Sequence, residues 1–257
     1  MRSRTARAFA CVFGLTACLA WAGEGAREDE ARALAKRVAD AAPSGAFVAD
    51  LTLVTSGDLS RRLTMSGASL HDGGTARYIE VVAPTNLKDT RYLLLERPSG
   101  AARQFFYLPT MQRVMRLSEA ARREPFLGST FYIADLIPPA LDDFAYAFVG
   151  DATVQDRACR LVEATPVDPD EAVYGRSVLA IDPTDLVVLR PEFFDADDRP
   201  LKVLHVDVLE RREGRWTAVR QRMVNVPADE TSSLVVEDID YDAALPDEIF
   251  TVGHLGR

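Results

Sequence analysis

The sequence is poor in the residues that most often carry chemistry. It has three Cys and three His in 257 residues. Two of the cysteines, Cys11 and Cys18, fall within the first 22 residues. A chain processed after Ala22 keeps only Cys159 and forms no intramolecular disulfide. Cys159 lies in an alternating segment, with Ala158, Arg160 and Val162 on one side and Cys159 and Leu161 on the other. That pattern predicts a buried structural thiol rather than a reactive one. His71, His205 and His254 are scattered, and none stands at a zinc-ligand spacing such as H-E-x-x-H or C-x-x-C. There is no G-x-S-x-G elbow (Gly128-Ser129 lacks the second Gly), no Walker A sequence and no G-x-G-x-x-G. Asp238-x-Asp240-x-Asp242 opens like an EF-hand loop but has Ala243 where that loop needs Gly and Ile249 where it needs Glu. Acids at every second position fit the solvated face of a strand. Asp195-x-Asp197-Asp198, before Arg199-Pro200, reads as a surface turn. No nucleophile, base and orienting group come together, so no catalytic residue, metal site or cofactor is expected, and the chain reads as a non-enzyme.

Positive charge is also scarce. Thirty Lys and Arg face 39 Asp and Glu, a net charge of −9. The first 22 residues hold Arg2, Arg4 and Arg7 and no acid, so residues 23–257 carry −12. A body this acidic lacks the cationic surface that phosphate backbones require, which excludes nucleic acid as a general partner. It also fits poorly with adsorption to anionic headgroups. A hydrophobic content of 47% excludes disorder.

The run AFACVFGLTACLAW, residues 8–21, is too short to cross a bilayer as a helix. With the arginines before it and Ala20-Trp21-Ala22 at its end, it reads as a secretory signal peptide, residues 1–22, cleaved after Ala22. Leu15-Thr16-Ala17-Cys18 also fits a lipobox, which would make Cys18 the lipidated first residue of an outer-membrane lipoprotein. The apolar Leu19-Ala20-Trp21-Ala22 stands where a polar tether would follow, which favours the soluble product.

One strong helical pattern is present, over residues 28–42. Ala31, Leu34, Ala35, Val38 and Ala42 form a single stripe, acids gather at its start, and Pro43 and Gly45 close it. From residue 47 the period changes to two. Strands are expected over 47–55, 60–66, 76–82, 91–96, 103–108, 112–117, 145–150, 157–165, 177–182, 186–194, 202–211, 215–224 and 233–242. Turn chemistry such as Arg212-Glu213-Gly214 separates them. Strands in succession without intervening helices predict an antiparallel meander. The expected fold is therefore mainly β (α+β): one large antiparallel sheet curved into a half-open barrel over residues 23–257, with an N-terminal helix. Residues 124–141 break the alternation while carrying Phe126, Leu127, Phe131, Tyr132, Ile133, Leu136 and Ile137. They are expected to form a short helical or loop insertion over one side of the sheet, as a lid or as core.

One stretch carries a resemblance. Phe105-Phe106-Tyr107-Leu108-Pro109, Met111, Arg113-Val114, Arg116-Leu117, Phe126-Leu127-Gly128-Ser129-Thr130-Phe131 and Asp135-Leu136 resemble the outer-membrane lipoprotein-sorting family of LolA-like carriers, in its exporter-associated branch. The likeness extends to Asp238-Ile239-Asp240-Tyr241 and to Leu245-Pro246 with Ile249-Phe250-Thr251. Thr130 replaces a usual Asp and Phe106 a frequent Trp. The resemblance implies a monomeric periplasmic carrier, a chaperone that shields acyl chains of lipoproteins or lipids in a half-barrel, with an inner-membrane exporter as a further partner. The candidate cavity or lid residues are Tyr107, Leu108, Met111, Met115, Phe126, Leu127, Phe131, Tyr132, Ile133 and Leu136, with Arg113 and Arg116 as polar mouth residues.

Overall fold

The computed structural model describes residues 16–42, 45–57, 59–71, 73–96 and 103–257, with side chains from residue 27 onward. Residues 1–15 of the expected leader, the Cys18 side chain, Pro43, Asp58 and Asp72 lie outside the described residues. The first element is helix α1, Thr16–Ala41. It begins 12 residues before the expected start at residue 28, because the preceding stretch contains no proline and continues the helix. Glu28, Asp29 and Glu30 therefore sit in its middle, away from the favourable N-terminal end of the helix dipole.

Thirteen strands follow. The first six are β1 (Phe47–Thr55), β2 (Leu59–Ser69), β3 (Thr75–Ala83), β4 (Arg91–Glu96), β5 (Arg103–Leu108) and β6 (Arg113–Arg116). The remaining seven are β7 (Phe144–Val154), β8 (Arg157–Pro166), β9 (Arg176–Asp182), β10 (Val187–Phe194), β11 (Pro200–Arg212), β12 (Arg215–Asn225) and β13 (Glu230–Asp240). A terminal helix, α2, spans Val252–Leu255. All strands join one sheet in the order β6-β5-β4-β3-β2-β1-β13-β12-β11-β10-β9-β8-β7. The sheet is two antiparallel meanders sewn together by the pairing of β1 with β13, where Leu51 faces Val236 and Leu53 faces Leu234. It is not closed, and β6 and β7 are its two edges. Register shifts at Asp50/Leu51, Val206/Val208 and Phe148/Gly150 mark bulges, which bend and twist their strands. The architecture fits a curved half-open barrel.

The two faces are covered differently. On the concave face, Leu51, Leu53, Leu63, Met65, Ile79, Val81 and Leu94 form the main core with Phe126, Phe131, Ile133, Leu136 and Ile137 from the β6–β7 connection. Farther along this face, Ala31 and Leu34 of α1 pack on Val162 and Ile181. On the opposite face of β3–β5, Ala76, Tyr78, Leu93 and Leu95 are capped by Phe250 and Leu255 of the C-terminal segment. Cys159 is buried with Ala180, Leu189 and Val206, and burial pushes its thiol pKa up, as expected of a structural thiol. Asp238, Asp240 and Asp242 are exposed while Tyr241 is buried, so the period-two acids do form a wet face. Asp195 Oδ1 accepts from the Asp197 and Arg199 amides, which builds the β10–β11 turn.

That turn has a tight neighbour. A Cβ added to Gly175 would stand 2.2 Å from the Asp195 carbonyl oxygen and 2.7 Å from its carbon. Backbone cannot yield as a side chain does, so Gly175→Ala is expected to lower stability by about 2 kcal/mol. Urea unfolding followed by fluorescence checks this, through a lowered midpoint at unchanged slope.

Candidate functional site

The candidate site is the concave face and the segment that lies across it. Residues 117–143 must carry the chain from edge strand β6 to edge strand β7, and they do so by crossing this face rather than pairing with either edge. The crossing is a series of single-turn 3-10 helices, at Glu119–Arg123, Phe126–Gly128, Ile133–Leu136 and Leu141–Asp143. The segment is called the strap below. Its sequence carries Pro125, Pro138 and Pro139 and lacks both simple periods, so neither a long helix nor a strand forms. Leu127 (φ 51°) and Gly128 (φ 73°) are consecutive left-handed residues that turn the strap back. An isolated bridge then pairs Pro125 with Tyr132. The turn aims Phe126 and Phe131 at the sheet, where their exposures are 1% and 4%.

Polar ties fix the strap to the opposite half of the sheet. The Thr130 amide donates to Ser232 Oγ at 2.9 Å, and Thr130 Oγ1 donates to the Met223 carbonyl at 2.7 Å. Asp135 is the second anchor. Its Oδ2 accepts from the Tyr132 amide at 2.7 Å, and its Oδ1 accepts from the Tyr174 hydroxyl at 2.7 Å. Lys202 on β11 lies 3.6 Å from Asp135 Oδ2, an ion pair just beyond hydrogen-bond length. The Lys202 side chain is 0% exposed, and its Nζ has no hydrogen-bond partner. Its charge rests instead on the Tyr132 ring, 2.8 Å from the centroid. Tyr174 stacks between Tyr132 (5.8 Å) and Phe193 (4.3 Å), walling the pair from water.

Removal from water governs the titration of this cluster. Burial pushes the Asp135 carboxyl above its ordinary pKa despite the pull of Lys202. It lowers the Lys202 ammonium from 10.5 to about 8. Burial likewise raises the Tyr174 phenol, and the adjacent Asp135 charge adds to the effect. Burial thus disfavours the charged form of both members, the condition in which desolvation rivals Coulomb attraction.

The sequence-derived candidates separate into three groups. Phe126, Leu127, Phe131, Ile133 and Leu136 meet in the concave core, with Tyr132 beside them over Lys202. Met115 pairs with Phe106, which stacks on Tyr92 at 5.9 Å on the same face, and Leu108 ends that strand. Tyr107 is brought elsewhere: it lies on the opposite face with Val114, packed in the core that Phe250 and Leu255 cap. Met111 is 58% exposed in the β5–β6 turn. Arg113 and Arg116 are both exposed, and strand alternation points them to opposite faces. The histidines are not brought together, and among the described residues no group of three or more His, Cys, Asp or Glu is placed to hold a metal ion.

Lys202, Tyr174 and Ser232 had no sequence signal. Lys202 reads as an ordinary strand residue, Tyr174 lies outside every expected strand, and Asp135 was marked only by the family resemblance. Among the described residues no helix is long and apolar enough to cross a membrane.

Residues 73–257 match a family model described as "Uncharacterized protein". No curated protein matches the chain. Among solved structures, it is similar to an outer membrane lipoprotein-sorting protein domain from Vibrio parahaemolyticus, at 21% identity and a TM-score of 0.84, covering 90% of this chain and 100% of that one. A DUF1329 family protein from Desulfovibrio piger is similar at 23% identity and a TM-score of 0.83, over 89% and 99% of the two chains. A LolA superfamily protein from Nitrosomonas europaea gives 16% identity and a TM-score of 0.68, over 87% and 98%. At these identities the likeness is one of fold, and the fold is that of the LolA-like lipoprotein-sorting domains.

The buried pair yields a stability test. Asp135→Leu leaves the Lys202 ammonium without its carboxylate and is expected to cost about 3 kcal/mol, whereas Asp135→Leu with Lys202→Met should cost less than the single change. Because the folded Lys202 pKa lies below its ordinary value, the unfolded chain binds more protons between about 8 and 10.5. Stability should therefore rise with pH across that window and the rise should vanish in the double variant, as read from urea midpoints at each pH.

Proposed function

The chain belongs to the family of proteins described as "Uncharacterized protein" whose model matches residues 73–257, and on that premise we propose that it is an exported, periplasmic carrier that shields acyl chains of lipoproteins or lipids on its concave face. The observation that carries this reading is the strap. Five of its apolar side chains fill the hollow of an open sheet, on a segment of single-turn 3-10 helices and loops that is held by a few polar ties. Burying those side chains is worth about 10 kcal/mol, at about 1.5–3 kcal/mol each. An acyl chain of about fifteen methylenes gains about 12 kcal/mol on leaving water, at about 0.8 kcal/mol each. The two are close enough for an acyl chain to take the place of the strap side chains without either state becoming a trap. Release then needs no chemical step, and the carrier acts without catalysis.

The LolA-like fold supports this class of role, with cargo sorted to the outer membrane or handed to a membrane exporter. The signal-peptide pattern of residues 1–22 supports export. The lipobox at Leu15–Cys18 favours a second reading, an outer-membrane lipoprotein anchored through Cys18 that serves as an adaptor. Palmitate labelling of the wild type and of Cys18→Ala separates the two, since the soluble carrier incorporates no label in either.

The carrier reading has a direct test. The purified protein should retain lipid in native mass spectrometry or, after delipidation, take up a fluorescent acyl probe. Thr130→Cys with Ser232→Cys puts thiols on the two residues that the Thr130 amide and Ser232 Oγ join, and thiol counting shows whether oxidation links them. Uptake should fall at least tenfold when this pair is oxidised and return on reduction. Uptake that is absent in the wild type, or unaffected by the cross-link, overturns the reading.

A further inference from the structure

A charge segregation runs along one end of the sheet, and it is invisible in the net charge. Register places the β1–β2, β3–β4 and β5–β6 turns at the same end: Thr55 faces Leu59, Glu80 faces Arg91, and Leu108 faces Arg113. Three exposed large apolar side chains stand there, Leu59 at 60%, Val82 at 40% and Met111 at 58%. Between them stand Arg62, Lys88 and Arg113, all exposed and none in an ion pair among the described residues. Adjacent strands lie about 4.8 Å apart, so β2 to β6 spread these six residues along a row about 20 Å long. The other half of the same end has the opposite sign. Its exposed acids lie in residues 168–171, 197–198 and 229–230, and Arg199 is there paired with Asp197.

Apolar tips alternating with unpaired cations make a chemical pattern that matches one kind of surface. We propose that the β2–β6 end of the sheet docks on an anionic membrane surface, with Leu59, Val82 and Met111 entering the headgroup layer and Arg62, Lys88 and Arg113 meeting lipid phosphates. The body carries −12 and would be repelled by such a surface as a whole. The segregation resolves this by presenting a basic edge and turning the acidic half away. A neutral surface would need no cations here, and an acidic protein groove would not call for apolar tips spread over five strands. Each cation adds about fivefold to the affinity for an anionic surface, and added salt weakens the attraction. This docking goes beyond the carrier reading, because it concerns where the protein meets a membrane and not what fills its hollow.

Flotation of the purified protein with vesicles tests it. Binding is expected to vesicles of phosphatidylethanolamine with phosphatidylglycerol, at least tenfold above binding to phosphatidylcholine, and to fall as salt rises. Arg62→Glu and Arg113→Glu should each reduce binding at least fivefold, and Leu59→Ser with Met111→Ser should reduce it by a similar factor. Arg220→Glu makes the same charge change on an exposed residue in the middle of β12, and should leave binding within twofold. Absent or charge-independent flotation, or an equal loss in Arg220→Glu, overturns the proposal. The two single variants lie on different strands, so a folding defect in one does not remove the test. Acyl-probe uptake is scored separately: a protein that floats but takes up no probe fails the carrier reading and keeps the docking edge.

Discussion

The rest of the structure depends on a problem of connection. The sheet is built from two meanders joined through β1 and β13, and this leaves the end of the first meander and the start of the second at opposite edges. The chain between β6 and β7 has to cross a face of the sheet to reach the far edge. A segment on that path either stays in water, leaving the concave face wet, or turns its side chains inward and becomes part of the core. Here it turns inward, and Phe126, Phe131, Ile133, Leu136 and Ile137 supply contacts that the thirteen strands cannot supply to one another. A closed barrel would need no strap, and a flat sheet would have no hollow for one.

The strap's ties differ in kind from its packing. Its apolar side chains are held by burial, which is non-directional and tolerates exchange for another apolar surface. Thr130 and Asp135 are held by geometry, through Ser232, Met223 and Tyr174. Lys202 is the costly member: a fully buried ammonium supported by one carboxylate at 3.6 Å and an aromatic face. Such a pair contributes little to net stability but specifies where the strap sits, since any other placement strands a charge in an apolar interior. Position is fixed by the polar groups and packing energy by the apolar ones.

The two outer faces follow the same economy. The convex side of β3–β5 is dry because the C-terminal segment covers it with Phe250 and Leu255, and α1 covers the far end of the concave side. Of the exposed large apolar residues, Leu59, Val82 and Met111 stand at one end of the sheet beside Arg62, Lys88 and Arg113, whereas Val167 and Val226 stand among the acids of the other half. An average of −9 over the chain conceals this, because acids and bases are sorted to different halves of one rim.

Local pattern alone determined much of this molecule. The period-two alternation located all thirteen strands, since a strand with one dry face writes its register into consecutive residues. The same logic placed Cys159 in the core and Asp238, Asp240 and Asp242 in water. Residues 124–141 stood out by fitting neither period while remaining apolar. What local pattern could not carry was decided by pairings distant in sequence. Alternation separates two faces but does not say which is concave, so Tyr107 and Met115 looked alike and fell on opposite sides. The union of β1 with β13 joins nearly the two ends of the chain, and no local signal encodes it. The start of α1 lay beyond the residues whose stripe defined it. Lys202 is an unremarkable strand residue until Asp135 and Tyr132 arrive from the strap. A buried charge is defined by what surrounds it, and the tertiary fold alone brings those groups together.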